Sequence, residues 1–355
     1  MIVLGIDTSC DDTCASVVAG QQVLSNVVSS QVSLHQPYGG VFPSVAKLAH
    51  QQNIAPVVNL ALKRSHLHEH SIQAIAVTIG PGLAPALEIG LSFAKKLAQK
   101  WGLPLLPINH LEGHLLSPLL QAHSAKSPTT TVGKNCLGMV ISGGHSQFIR
   151  LKQLGSYQIL GETLDDAIGE SLDKIGRLLS LGYPAGPALE ILAKEGDAHA
   201  YQFPLPLTTR HNYDLSFSGL KTFSKNLLAR LTNNFSQPLT KKQIVNLAAS
   251  SQTAVFRHLL YKLEKLLSQE KFSTQIILVG GGVAANNYLR SHLRRLGKKY
   301  HYQIALPYHR RFCGDNAAMI ALVGQWQLAS GYVPPAPQTI ERQPNWQLTS
   351  WQEAH

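Results

Sequence analysis

The segment His110-Leu-Glu-Gly-His114 carries two imidazoles separated by four positions. If the segment is helical, residues four apart lie on one face, so both imidazoles can bind the same metal ion. A zinc-peptidase motif places its glutamate directly after the first histidine, whereas Glu112 comes one position later. A histidine pair can equally be hydrogen-bonded inside a packed helix, so a metal site requires a third ligand.

Asp315 is the best-placed third ligand. It follows Gly314 and opens an apolar segment at 315–330 that has helical character. The polar junction between a loop and a helix is a position from which a carboxylate can reach a neighbouring group. Two histidines and one carboxylate with open positions suit iron(II) or zinc(II). The sequence therefore predicts one divalent metal held by His110, His114 and Asp315.

Polar or glycine-rich turns follow three short apolar segments. The segment 2–6 leads into TSCDDT, 136–141 leads into Ser142-Gly143-Gly144-His145, and 276–279 leads into three glycines at 280–282. Glycines at strand ends let backbone N–H groups approach a phosphate closely. One such turn is usually an ordinary tight turn, but several together favour a nucleotide site. None of them matches the P-loop pattern.

Carboxylates near these turns are further candidates. Asp11 and Asp12 can accept a proton during catalysis or hold a metal-bound or phosphate-bound water, although they can also simply fill the turn. Asp173, in the acidic segment DDAIGESLDK, can accept hydrogen bonds from ribose hydroxyls or remain a solvated charge. His145 is a possible hydrogen-bond donor to a ligand, and we assign it no catalytic role.

The elements that position these residues alternate between strands and helices, which indicates an α/β layer architecture. Two strand–turn–strand units about 135 residues apart, each followed by helical segments, predict an internally duplicated chain with a ligand between its halves. We predict a first lobe at 1–120, an exposed loop at 121–135 and a second lobe at 136–330. A tail at 331–355, rich in proline, is expected to add little to the core.

Composition excludes several classes of protein. The chain has 355 residues, of which 44% are hydrophobic and 14% charged, values typical of globular proteins. No apolar run approaches the length of a membrane-spanning helix, no leader pattern precedes the first strand, and four cysteines are too sparse for a disulfide framework. We therefore expect a protein of the cytoplasm that does not bind membranes.

The positive charge is concentrated in one part of the chain. Residues 1–200 contain 13 Lys/Arg and 14 Asp/Glu, whereas 201–355 contain 18 and 6. The densest run contains Arg290, Arg294, Arg295, Lys298 and Lys299. Such a region can attract a polyphosphate backbone, or it can be a solvated helix face.

Taken together, these segments resemble one known family. The matching blocks, in order, are LGIDTSCDDTCASVV, HLEGHLLSPLL, SGGHSQF, LDDAIGESLDKIGRLLSLGYPAGPALE, DLSFSGLKT, GGGVAANNYLR and CGDNAAMIA. They look like the signature blocks of the tRNA N6-adenosine threonylcarbamoyltransferase family, formerly labelled O-sialoglycoprotein endopeptidase. The blocks span about residues 1–325, which is nearly the whole chain.

The resemblance implies a duplicated actin-like, Hsp70-like fold with two lobes around a ligand. It implies transfer of threonylcarbamoyl from threonylcarbamoyl-adenylate to the adenosine adjoining the anticodon, with release of AMP. His110, His114 and Asp315 would hold the metal, with iron(II) as first choice and zinc(II) as second. Carried over by motif position, the residues lining the adenylate would be Val140, Ile141, Ser142, Gly143, Gly144, Asp173, Gly186 and Asn286.

The same resemblance implies partners besides tRNA. Bacterial members pair with an inactive paralogue of the same fold and a small P-loop ATPase, and other members join a kinase-containing complex. Two alternatives remain at this point. One is an ATPase or phosphotransferase of the actin-like fold, although such enzymes hold magnesium through oxygen ligands. The other is a metallopeptidase, which the position of Glu112 disfavours.

Overall fold

The computed structural model describes residues 1–123, 133–348 and 351. Its strands form two separate sheets, and helices pack against both of them, which confirms the predicted α/β class. Residues 124–132 of the predicted exposed loop lie outside the described residues. Among the residues that are described, no helix is long and apolar enough to cross a bilayer.

The first sheet is built on an antiparallel opening. Its strands are β1 (Ile2–Asp7), β2 (Asp12–Ala19), β3 (Gln22–Ser30), β4 (Ala74–Gly80), β5 (Leu105–Asn109) and β6 (Gln121–Ala122), in the spatial order β5-β4-β1-β2-β3-β6. β1, β2 and β3 pair antiparallel, as the predicted hairpin requires, and β4 is parallel to both β1 and β5. The predicted loop at 121–135 therefore begins too early, because residues 121–122 pair with β3.

The second sheet repeats this arrangement. Its strands are β7 (Cys136–Ile141), β8 (Ser146–Gln153), β9 (Ser156–Glu162), β10 (Ile276–Gly280) and β11 (Gln303–Ala305), in the order β11-β10-β7-β8-β9. β7, β8 and β9 pair antiparallel, whereas β10 is parallel to β7 and β11. Strand order and direction thus match the first five strands of the other sheet, so the chain is internally duplicated.

Helices fill the connections. They are α1 (Val32–His35), α2 (Pro43–Ser65), α3 (Ala84–Trp101), α4 (His110–Leu116), α5 (Ile168–Leu178), α6 (Gly186–Ala193), α7 (Ser218–Leu231), α8 (Lys241–Gln269), α9 (Asn287–Tyr300) and α10 (Ala317–Ala329). The helical segment predicted at 165–195 is interrupted between α5 and α6. Ser180 and Gly182 adopt positive φ there and Pro184 follows, a combination that a continuous helix does not tolerate.

Two helices form a layer between the sheets. α10 packs on β1 and β2, and a Cβ at Gly5 of β1 would lie 2.1 Å from the Ala317 carbonyl oxygen. α4 packs on β7 and β10, and a Cβ at Gly280 would lie 1.8 Å from the His114 carbonyl oxygen. Glycine is required at both positions because the helix backbone approaches the strand directly. α10 follows the second sheet in sequence, yet it packs on the first sheet. The predicted boundaries between the lobes and the tail, at residues 120 and 330, therefore stay a prediction.

The C-terminal tail (331–355) contributes to the core, so the expectation that it would not was wrong. Ile340 and Leu348 are 4% and 3% exposed. The Gln343 amide donates to the Ile79 carbonyl at 2.7 Å, and the Gly82 amide donates to Pro344 at 3.0 Å. The tail therefore docks at the end of β4, through backbone hydrogen bonds that its composition does not indicate.

Candidate metal centre

α4 presents His110 and His114 directly after β5. Asn109, the last residue of that strand, caps the helix because its side-chain oxygen accepts from the Leu111 amide at 2.9 Å and from the Glu112 amide at 3.3 Å. Such a cap satisfies amides that have no partner within the helix. The condition on which the sequence prediction depended, a helix across 110–114, is therefore met.

The structure brings the three predicted metal ligands together. Asp315 Oδ1 lies 3.2 Å from His114 Nε2 and 3.5 Å from His110 Nε2. One potential ligand atom from each residue lies within 4.8 Å of the others. Asp315 reaches this position because it directly precedes Asn316, whose side chain caps α10. The cluster therefore occupies the point where the N-terminal ends of α4 and α10 meet.

Unsatisfied buried atoms test whether this site suits a cation. His114 Nδ1, His114 Nε2, His110 Nδ1 and Asp7 Oδ2 are buried without a hydrogen-bond partner among the described residues. A buried polar atom without a partner costs about 1–3 kcal/mol. A divalent cation shared by the imidazoles and Asp315 would satisfy His114 Nε2, which lies 3.2 Å from Asp315 Oδ1 without forming a hydrogen bond to it. The donor set of two imidazoles and a carboxylate therefore fits a metal such as iron(II) or zinc(II).

The pKa values of the three candidate ligands are strongly shifted. Burial lowers the pKa of His110, but the carboxylates of Asp7 and Asp315 outweigh it and raise that pKa to about 10. Burial and the neighbouring His110 lower the pKa of His114. Burial raises the pKa of Asp315, yet the two histidines hold it well below its usual range. Asp315 is thus an anion facing two imidazoles, and a cation that binds there has to displace the proton that His110 holds in the metal-free protein.

The turn between β1 and β2 carries Asp11 and Asp12 beside this cluster. Burial raises the pKa of both carboxyls, that of Asp12 to about 7, and the charge of Asp315 raises both further. His50 of α2 holds the turn, because its Nδ1 lies 2.8 Å from Thr13 Oγ1 and its Nε2 lies 3.0 Å from the Cys10 carbonyl oxygen. The two aspartates are therefore held at the site with a raised proton affinity.

The turn between β7 and β8 faces the same cluster. His110 and His114 add to burial in lowering the pKa of His145, to about 4, which places this neutral imidazole near them. Gly143 and Gly144 are exposed, and nothing lies within 4 Å of where a Cβ would stand. The turn itself is closed by a hydrogen bond from the Ser142 amide to the His145 carbonyl at 2.8 Å. Space thus remains beside its glycine backbone.

Two residues predicted to line the ligand form hydrogen bonds within the protein. Oδ1 of Asp173 accepts from the amides of Ala185 and Gly186, both at 2.8 Å. The side-chain oxygen of Asn286 caps α9, and its amide donates to Gln252 Oε1 at 3.0 Å. Asp173 and Gly186 are thus hydrogen-bonded to each other, and their predicted role in lining a ligand stays a prediction.

Val140 and Ile141 end β7 with fully buried side chains that belong to the hydrophobic core. Gly281 lies close beside them, since a Cβ there would be 2.4 Å from the Ile141 carbonyl oxygen. If these residues contact a ligand, they do so through the backbone. This agrees with the glycine-rich character of both neighbouring turns.

Sequence reasoning did not assign three residues to the metal cluster, although Asp7 was among the residues that favoured an actin-like ATPase. Asp7 is fully buried, with Oδ2 3.4 Å from His110 Nδ1, and its position at the end of β1 was the available signal. Asp11 and Asp173 both contribute, after burial, to raising the pKa of Tyr183, which places this tyrosine among the site carboxylates. No sequence pattern indicated a role for His50, because it lies in α2 and contacts the turn between β1 and β2 only in the folded structure.

The pH dependence of stability tests the environment of Asp12. Its pKa is about 7 in the folded protein and near 3.8 when unfolded, so the unfolding free energy should fall as pH rises from about 4 to 7. Asp12→Asn removes this loss, so metal-free variant and wild type should diverge by about 2 kcal/mol across that range, in favour of the variant. Urea unfolding at several pH values measures this difference. Glu341→Gln, at an exposed carboxylate of the tail, should follow wild type, and a pH-independent offset for Asp12→Asn would contradict the prediction.

The repeated sheets with two helices between them define a two-lobe actin-like α/β protein, here with a histidine–aspartate cluster at the helix ends. A solved structure, full-length HypF in its phosphate- and nucleotide-bound form, superposes with a TM-score of 0.55 and 12% identity over 93% of this chain and 47% of that one. At that identity the likeness concerns the fold alone.

Sequence comparisons identify the family. The family model described as TsaD, tRNA N6-adenosine threonylcarbamoyltransferase, matches residues 22–322. Relatives bearing that name include one from Trichlorobacter lovleyi, 43% identical with 93% of each chain covered. Another, from Vesicomyosocius okutanii, is 40% identical over 93% of this chain and 92% of its own. The chain belongs to the tRNA N6-adenosine threonylcarbamoyltransferase family, which confirms the resemblance seen in its sequence blocks, and it is a transferase that modifies tRNA.

Proposed function

We propose that this chain transfers the threonylcarbamoyl group of threonylcarbamoyl-adenylate to the N6 amine of adenosine 37, adjoining the anticodon, in tRNAs that read ANN codons. The observation that carries the proposal is the cluster of His110, His114 and Asp315, which interacts electrostatically with two hairpin turns, one rich in carboxylates and one rich in glycine. Such a site can hold an anionic adenylate and also accept a proton.

The adenylate binds, in this proposal, along the β7–β8 turn. Backbone amides of Gly143 and Gly144 would approach its phosphate or the developing oxyanion, since no side chain there blocks the approach. Asp173 has a second carboxylate oxygen besides the one used by Ala185 and Gly186, and that oxygen would accept from ribose. Val140, Ile141, Ser142, Gly186 and Asn286 would complete the pocket.

His110, His114 and Asp315 would hold one divalent metal, iron(II) first and zinc(II) second, which supplies Lewis-acid chemistry and a template for substrate oxygens. The N6 amine is a weak nucleophile because its lone pair is delocalised into the ring. Its nitrogen attacks the carbamoyl carbon, the bond from that carbon to the phosphate oxygen breaks, and AMP leaves with the bonding electrons. The proton lost from the amine goes to Asp11 or Asp12, whose raised pKa suits a base at neutral pH.

Of the alternatives, the metallopeptidase is disfavoured by geometry. Glu112, the carboxylate that would have to activate water, is 2% exposed and accepts hydrogen bonds from Tyr157 and Trp351. A carboxylate engaged in this way is not available as a general base. An actin-like ATPase would be expected to use oxygen ligands for magnesium, which the histidine pair does not provide.

Partners and location follow the family. We propose that the chain acts in the cytoplasm on tRNA, together with an inactive paralogue of the same fold and a small P-loop ATPase, or within a kinase-containing complex. The excess of positive charge after residue 200 supports tRNA as the polyanion, since phosphate contacts by Lys and Arg dominate such affinities.

Nucleoside analysis tests the proposal directly. Purified chain, partner proteins and unmodified tRNA should yield threonylcarbamoyladenosine when threonine, bicarbonate and ATP are supplied, measured by mass spectrometry of digested tRNA. One AMP should be released for each modified nucleoside when threonylcarbamoyl-adenylate is supplied instead. A tRNA with guanosine at position 37 is the matched control and should stay unmodified. Absence of the nucleoside with active partners would refute the proposed reaction.

A further inference from the structure

Glu112 lies between the two histidines of α4 in sequence, and its carboxylate is hydrogen-bonded to residues outside that helix. Its side chain is 2% exposed. One oxygen, Oε1, accepts from the Tyr157 hydroxyl at 2.5 Å and from Trp351 Nε1 at 2.7 Å. A buried carboxylate is unfavourable unless it is hydrogen-bonded, so these two donors are required partners.

Both donors belong to parts of the molecule distant from α4 in sequence. Tyr157 is in β9 of the second sheet, and its hydroxyl also accepts from the Gly155 amide at 3.2 Å. Trp351 is in the C-terminal tail, and its amide donates to the Gly155 carbonyl at 2.9 Å. Gly155 has no side chain, and a Cβ there would lie 2.4 Å from the Trp351 ring. The indole is therefore seated on the turn between β8 and β9.

The same tail also contacts the N-cap of the helix, one turn or less from Glu112. The side-chain amide of Asn109, the cap of α4, lies 3.3 Å from the Gln347 carbonyl and 3.5 Å from that of Trp346. Leu348 is buried between these two points. The tail thus makes two contacts with the first turn of α4, one at the cap residue Asn109 and one, through Trp351, at Glu112.

External support of this kind matters because α4 has only seven residues. A helix that short has almost no stability of its own in water, so tertiary contacts fix its position. A metal site needs its ligands held within about 0.5 Å of the productive geometry. The contacts at Glu112 and Asn109 are on the helix that carries two of the three candidate ligands.

We infer that Glu112, Tyr157 and Trp351 are positioning residues that fix α4, and with it His110 and His114, for metal binding. The C-terminal tail is in this respect part of the metal site although it contributes no ligand. The inference rests on the proposed metal site but not on the transfer reaction, because metal affinity is measured without tRNA or adenylate.

Variants that remove one hydrogen-bonding group at a time test the inference. Trp351→Phe keeps an aromatic ring but removes the N–H donor, and Tyr157→Phe removes the hydroxyl. Each should weaken binding of iron(II) or zinc(II), measured by competition with a chelator, by about 10-fold or more, as is usual when groups supporting metal ligands are removed. Glu112→Gln retains an oxygen that accepts both bonds and should bind metal within about threefold of wild type, whereas Glu112→Ala should not.

Matched controls remove similar atoms elsewhere. Trp101→Phe deletes an indole N–H that has no hydrogen-bond partner among the described residues, and Tyr300→Phe deletes a hydroxyl bonded to Glu264. Both should leave metal affinity unchanged.

Hydrogen exchange of the metal-free protein gives a second readout. In Trp351→Phe the peptide covering 110–116 should exchange at least about 10-fold faster, while the peptide covering 84–101 keeps its rate. If metal affinity is unchanged in both Trp351→Phe and Tyr157→Phe, the inference is overturned, even if the folded protein becomes less stable. It is also overturned if Glu112→Gln fails as completely as Glu112→Ala.

Discussion

Replacing both His110 and His114 with alanine should abolish metal binding and leave threonylcarbamoyl transfer at least about 1,000-fold slower, because a bound metal supplies several kcal/mol of transition-state stabilisation. Asp315 alone, only 3.2 and 3.5 Å from the two imidazoles in the wild type, cannot hold a divalent ion with a single oxygen. Metal analysis of protein purified without chelator measures the first effect, and nucleoside mass spectrometry measures the second.

Thermal stability provides a second test of the double variant at His110 and His114. Metal that binds only the folded state raises its unfolding free energy in proportion to the logarithm of metal concentration. Wild type should therefore lose thermal stability when a chelator is added, whereas the double variant should be insensitive to it. The metal-free variant should be less stable than metal-free wild type, because Asp7 and Asp315 lose the imidazole that they hold in its charged form and the rings leave a cavity.

The matched control is His68→Ala with His70→Ala, an exposed pair that belongs to no ligand cluster among the described residues. It should keep full metal content and activity. Stoichiometric metal in the His110 and His114 double variant would show that the site lies elsewhere, and the proposed role of α4 would be wrong.

Charge reversal on α9 is expected to have the second largest effect, on tRNA binding. The helix buries Leu289, Leu293 and Gly297 and exposes Arg294, Arg295 and Lys298 on the opposite side. Changing these three cations to glutamate should raise the tRNA dissociation constant about 10- to 100-fold near 0.1 M salt. The slope of affinity against salt concentration should become shallower by about 0.7–0.9 for each phosphate that the variant no longer neutralises.

Lys299 is left out of this set, although the sequence grouped it with the others. Its ammonium pairs with Glu264 Oε1 at 2.5 Å, so its charge is already neutralised locally. Reversing Arg64, Lys96 and Lys100, exposed cations on α2 and α3 of the first half, is the control with equal charge change. If both triple variants bind tRNA equally well, the basic run on α9 is only a solvated helix face.

The fold and the metal cluster were largely predictable because both depend on short-range patterns. Helical spacing placed His110 and His114 on one face, and the junction before an apolar helix suggested Asp315. The repeated strand–turn–strand pattern at 2–6 and 136–141 predicted the duplication, which the matching strand orders confirm. The histidine pair and the duplication rest on neighbours in sequence or on a repeated local signal, whereas Asp315 was suggested by its local junction although it lies about 200 residues from the histidines.

Features that depend on distant contacts were not predictable. The tail reads as polar and proline-rich, yet its backbone docks on β4 through Gln343 and Pro344. Asp173 and Asn286 carry side chains suited to a ligand, but two backbone amides and a helix end already use them. Periodicity and composition do not indicate which side-chain oxygen will accept a hydrogen bond from a backbone amide that is distant in sequence.

The meeting of α4 and α10 at one cluster sets an order of events during synthesis. A ribosome releases the chain from its N-terminus, so both histidines emerge about 200 residues before Asp315. Two imidazoles on a seven-residue helix cannot form the complete site by themselves, and the residue that completes it arrives only when most of the second sheet has been made. If the proposed site holds its ion, loading therefore reports that synthesis has passed Asp315, and a prematurely terminated product that lacks this residue would bind the ion poorly.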